Sequence, residues 1–202
     1  MKVGDAATED MTNMSAWQLD GFQQLTDGGF DQDVQHYYLA ESRSYVMGDR
    51  SLCGAYNFVQ GDWLEKQCFA RGVLVWYRNT GYSDNNTSEH PGAGEILPVD
   101  LRPQAMLRQD GRTPWRNRWQ SWDAPMTVDP QSIRLWQVQA NGKTKSQRFT
   151  ARPITTFSDW SPDAYYNPAI PQHSVRTAGS GIQLKITGAS QDRGSYRLQL
   201  TP

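Results

Sequence analysis

Apolar residues along this chain come in short runs of strand length, each stopped by residues that favour turns. The runs are Trp17–Leu25, Gln35–Ala40, Gly72–Arg78, Glu95–Asp100, Ile133–Val138, Gly181–Thr187 and Ser195–Leu200. The breaks carry DGG at 27–29, NG at 141–142, GSG at 179–181 and DRG at 192–194. GIQLKITG and GSYRLQL alternate apolar with polar residues across a short Gly-containing link, which predicts a hairpin. Ile182, Leu184 and Ile186 then face one way, and Tyr196, Leu198 and Leu200 do the same on the second strand. Helical periodicity is scarce. The expected fold is all-β: a β-sandwich of jelly-roll or immunoglobulin-like antiparallel sheets with long loops.

Two stretches are less decided. Trp115, Trp119 and Trp122 share one face of a helix at i, i+4 and i+7, whereas a strand would separate Trp122 from the other two. With Arg116 and Arg118 interleaved, the three tryptophans suit either a sugar-stacking platform or core packing with snorkelling arginines. The segment 158–175, SDWSPDAYYNPAIPQHSV, reads as a long surface loop with Tyr165 and Tyr166 as anchors or contact residues.

Composition narrows the function classes. At 202 residues, one large domain with a proper core is expected. Lys and Arg number 20 against 21 Asp and Glu, so there is no electrostatic reason to expect nucleic acid or an anionic membrane as partner. Mean hydropathy is -0.73, and no apolar run approaches the roughly 20 residues of a membrane span. The opening MKVGDAATED has no apolar segment, so an exported form is expected to carry its leader upstream of these residues or to have had it removed. Cys53 and Cys68 lie 15 residues apart without nearby histidines. One disulfide between them, stabilising by about 3 kcal/mol, is the expectation and suits an exported protein; two partly buried thiols are the alternative.

Common catalytic signatures are missing. His36, His90 and His173 stand in separate segments with no HExxH or HxH between them, and neither a GxSxG elbow nor a Walker loop occurs. Glu89-His90-Pro91 looks like part of a protease motif, but the proline and the glycines after it exclude the helix such a motif needs. The most polar stretch is the loop after Arg78. Asp84, Asn86, Glu89 and, farther on, Asp100 offer the hard oxygen ligands that calcium takes. The same residues also build metal-free turns, because Asp and Asn side chains bond their own backbone. Asn85-Asn86-Thr87 matches the N-x-T pattern, which has meaning only in a eukaryotic secretory host.

Several segments in order resemble a known family. They are Trp17-Gln18-Leu19-Asp20-Gly21-Phe22, Tyr37-Tyr38-Leu39-Ala40-Glu41-Ser42-Arg43, GDRSLCGAYNF at 48–58, GVLVWYRNTGYSDNNTSEHPGAGEILPVDLRP at 72–103 and RWQSWDAPMTV at 118–128. Over about residues 16 to 140 the set resembles the C-terminal, non-catalytic β region of immune inhibitor A-like secreted metallopeptidases. The resemblance implies a secreted, extracellular bacterial protein in which zinc belongs to a separate catalytic domain and calcium supports the fold. Residues 1–15 would be a linker or the tail of a preceding domain, and 16–202 the accessory sandwich. The implied partner is the catalytic domain of the same polypeptide, together with protein substrate or glycan. No zinc ligand or catalytic glutamate carries over, since no position here matches HExxH. The competing expectation is an independent glycan- or surface-binding module working through Trp115, Trp119 and Trp122.

Overall fold

The computed structural model describes residues 7–12, 16–19, 36–44, 57–60, 63–66, 70–115, 121–138, 141 and 143–201. Its strands are β1 (Ala7–Thr12), β2 (Ala16–Leu19), β3 (His36–Arg43), β4 (Asn57–Gln60), β5 (Trp63–Lys66) and β6 (Gly72–Asn79). After them come β7 (Ile96–Pro98), β8 (Gln131–Val138), β9 (Thr144–Ala151), β10 (Thr156–Ser158), β11 (Gln183–Ala189) and β12 (Ser195–Thr201). Among the described residues the helical elements are two single 3-10 turns, Ser121–Asp123 and Pro171–His173. No helix there is long and apolar enough to cross a membrane.

Among the described residues, all pairings between neighbouring strands are antiparallel, and they form three four-stranded sheets. The orders are β1-β12-β11-β10, β2-β3-β6-β7 and β4-β5-β8-β9. The first two sheets close on one core, which makes the expected sandwich. Alternation sets who points inward: His36, Tyr38, Ala40 and Ser42 are buried on β3 while their neighbours are half-buried. Across the core stand Phe157, Leu184, Ile186, Tyr196 and Leu198, with Leu97, Val99 and Val175 filling between. The hairpin read from the sequence is β11–β12; Leu200 is partly rather than fully buried, and a bulge falls between Ile186 and Gly188. β6 is buried at Val73, Leu74 and Val75 in succession, so both faces of that stretch are covered.

The third sheet has its own smaller core of Ile133, Leu135 and Ala151 with Ala70, Met106, Trp115 and Trp122. The segment 122–127 joins it to the sandwich. Val73 and Met126 exchange backbone hydrogen bonds of 2.9 and 2.8 Å, and Thr127 N–H donates to the Ile154 carbonyl at 2.7 Å. This crossing requires Gly72. A Cβ there would lie 2.0 Å from the Met126 carbonyl oxygen, and φ is +154°. Ala7–Thr12, within the stretch expected to be linker, pairs with β12 as an edge strand of the first sheet.

Candidate functional site

Two long loops meet at the end of the sandwich where β6 runs out. The first, 80–95, is tied at its base by Asn79 N–H donating to the Glu95 carbonyl (2.9 Å) and by Arg78 pairing with Glu95 (2.7 Å). Asn and Asp side chains then hold its turns: Asn85 Oδ1 accepts from Ile96 N–H at 2.8 Å, and Asp84 Oδ1 accepts from Asn86 N–H at 2.6 Å. His90 closes the loop. Its Nδ1 lies 2.8 Å from the Ala93 carbonyl and its Nε2 2.8 Å from Asp84 Oδ1, with the Tyr82 ring 4.8 Å away. Both ring nitrogens face acceptors, so the ring suits two protons. The Ala93 carbonyl, then Asp84, pushes the His90 pKa up, while the Asn86 N–H, then His90, holds the Asp84 carboxyl below its ordinary value.

The second loop, 159–181, is organised around a fully buried carboxylate. Asp159 accepts from the Tyr38 hydroxyl (2.6 Å), the Thr177 hydroxyl (2.5 Å), the Gly179 and Ser180 backbone N–H groups (3.0 and 2.8 Å) and the Ser180 hydroxyl (2.7 Å). Five donors replace the water that the charge has lost. Burial and the Asp159 charge together push the Tyr38 phenol well above its ordinary pKa. Beside it His36 Nδ1 bonds the Tyr77 hydroxyl inside the core, and burial lowers the His36 pKa. Tyr165, expected as an anchor, is one: it is buried, its ring stacks 5.4 Å from Phe157, and its hydroxyl bonds the Ser158 backbone.

The loops lock together. Arg176 N–H donates to the Gly92 carbonyl at 2.8 Å, and its guanidinium lies 3.6 Å over the Tyr166 ring while pairing with Asp163 at 2.9 Å. Tyr166 presses on Gly92 so closely that a Cβ there would meet its ring at 2.7 Å.

A second buried charge cluster lies between the sandwich and the third sheet. Arg102 donates to the carbonyls of Arg152, Asp123 and Pro125 and to the Thr127 hydroxyl, with all its N–H groups engaged. Asp100 Oδ1 accepts from Arg102 N–H at 2.8 Å. Burial, then the neighbouring Asp123 charge, raises the Asp100 carboxyl well above the usual carboxylate range. Burial pushes Asp123 up to about 7 against the opposing pull of Arg102.

Of the residues expected to hold calcium, Asp84, Asn86 and Glu89 share the 80–95 loop and Asp100 lies apart from them. Asp84 serves its own loop, Asn86 and Glu89 are exposed, and Asp100 belongs to the Arg102 cluster. No three His, Cys, Asp or Glu side chains among the described residues are grouped to hold a metal ion. Trp115 and Trp122 are core residues, 4% and 7% exposed, and the Trp115 indole N–H donates to Gln147 at 2.7 Å. Cys53, Cys68 and Trp119 lie outside the described residues. What sequence reading missed is Asp159, Arg102 and the strongly exposed Trp160; the only local trace is the in–out alternation Phe157, Ser158, Asp159, Trp160.

Among the described residues, Asp84, His90, Asp100 and Asp159 bond the protein's own groups and hold loops and layers together. Residues 31–198 match the model for the VEG domain of immune inhibitor A-like metallopeptidases. The chain belongs to that family. This VEG domain is 29% identical over 173 residues to the pre-pro-metalloprotease PrtV of Vibrio cholerae serotype O1, covering 85% of the chain and 18% of the relative. It is 24% identical over 196 residues to immune inhibitor A of Bacillus thuringiensis subsp. alesti, covering 96% of the chain and 26% of the relative. The chain thus spans about a fifth to a quarter of the length of these relatives.

Proposed function

We propose that this VEG domain is a non-catalytic accessory part of an exported bacterial zinc metallopeptidase, supporting the folded catalytic domain or its hold on protein substrate. The observation that carries this reading is the family match over residues 31–198, within relatives named as a metalloprotease and as immune inhibitor A. The chemistry of the loop end agrees with it, because Asp84, His90 and Asp159 are engaged with the protein's own donors and acceptors. Zinc would sit in the catalytic domain, held by residues outside these 202. An extracellular setting also suits a Cys53–Cys68 disulfide.

The test is deletion of residues 16–202 from the complete gene product. The expected result is loss of soluble protease or of protein cleavage, with cleavage of a short peptide less affected where soluble enzyme remains. A deleted form that accumulates, folds and cleaves protein like the parent overturns the reading.

A further inference from the structure

One large apolar side chain is thrust into solvent. Trp160 is 68% exposed and is the exposed large hydrophobic residue among those described. It stands on hydrogen-bonded backbone. Residue 159 directly beneath is bonded on both sides, Asp159 N–H to the Ile182 carbonyl and Gly181 N–H to the Asp159 carbonyl, each 2.8 Å. The Asp159 carboxylate is bound by its five donors. Two residues on, the Pro162 carbonyl accepts from Thr177 N–H at 3.0 Å, and the proline ring fills the space where a Gly179 Cβ would be. The indole itself lies along Gly181, 3.6 Å from where a Cβ would stand. A rigid mount lowers the entropy cost of using the side chain as a contact.

We propose that Trp160 is the knob by which this domain docks into an apolar pocket on another domain of the same polypeptide. The proposal rests on the accessory reading above. The area involved selects a tethered occupant. A tryptophan buries about 150–250 Å², whereas a stable complex between separate proteins takes about 1,200–2,000 Å² in total. A covalently attached neighbour, present at an effective concentration near millimolar, can be held by a much smaller contact. The relatives supply such neighbours, since the matching segment is 18% and 26% of their polypeptides.

Hydroxyl-radical oxidation of the complete gene product, read peptide by peptide, tests this. Trp160 should react as slowly as the buried Trp115 and Trp122, and several-fold more slowly than after denaturation. Reaction at the denatured rate overturns the proposal. Trp160→Ala, which removes no partner from this domain's core, should speed limited proteolysis between domains several-fold, and Trp160→Phe should restore part of the resistance. An unchanged digestion rate for Trp160→Ala overturns the proposal. So does protection that appears only on adding an oligosaccharide, which would make the residue a sugar platform. The two readings fail separately. Trp160 protected in a gene product without a protease segment sinks the accessory reading alone; a protease segment with Trp160 freely reactive sinks the docking contact alone.

Discussion

Gly72 has no room for a side chain, because the Met126 carbonyl that bonds Val73 N–H occupies the place of its Cβ. Gly72→Ala would force apart the pair of hydrogen bonds between Val73 and Met126. A loss of at least about 2 kcal/mol is expected, measured as a lower denaturation midpoint with an unchanged slope. Wild-type stability in Gly72→Ala would mean the crossing can shift freely. His90 is the opposite kind of residue, half-buried in a surface loop and held by its protons. With Ala93 and Asp84 as acceptors on its two nitrogens, its NMR titration midpoint should lie above the ordinary 6.5. Asp84→Asn should bring that midpoint down. A wild-type midpoint at or below 6.5 would show that the ring is not held this way in solution.

Among the elements, those with a continuous apolar run or strong apolar alternation were legible in sequence. β6, β11 and β12 lie where their runs fall, since each turns a hydrophobic face to one core. β9 (TKSQRFTA) was not legible. It is polar, mostly exposed or half-buried, and lies at a sheet edge on its ladder to β8. β10, with three residues, is likewise set by its register on β11 rather than by its own pattern. The loop end was half legible. Asn and Asp announce the turns of 80–95 because their partners are local. Asp159 gives no local sign, because Tyr38 is 121 positions away. That distance has a consequence for the 159–181 loop. Asp159→Asn removes the charge and replaces one acceptor oxygen by an N–H₂ group; the hydroxyls can turn to accept from it, but the Gly179 or Ser180 backbone N–H cannot and loses its acceptor. A cost of at least about 2 kcal/mol is expected, with proteolytic nicking first in 159–181. Nicking elsewhere first would place the organising centre of that loop somewhere other than Asp159.

At the scale of the whole molecule, buried titratable groups pull stability in opposite directions between pH 4 and 7. Folded Asp123 holds its proton up to about 7, against about 4 when unfolded, and Asp100 shifts the same way. The folded state therefore carries more protons across that window, and this pair makes stability fall as pH rises from about 4 to about 7. His173 does the reverse. Its Nδ1 is buried without a hydrogen-bond partner, and burial lowers its pKa to about 4 from the ordinary 6.5. It stays neutral where the unfolded chain would be charged, so its contribution grows as pH rises from about 4 to 6.5, and His36 adds to it. Exposed carboxylates such as Asp110, held down to about 2 by Thr113, act below this window. Two opposed slopes should leave the parent chain with a shallow profile, and single substitutions should uncover each. Asp123→Asn removes one raised carboxyl and the charge that helps raise Asp100, so its Tm should climb from pH 4.5 to 6.5. His173→Gln leaves the carboxyl pair dominant, and its Tm should drop over the same interval. If both variants keep the parent's slope, protonation between the layers does not govern the stability of this fold. If only the His173→Gln slope changes, the Asp100–Asp123 pair already shares its charge with solvent.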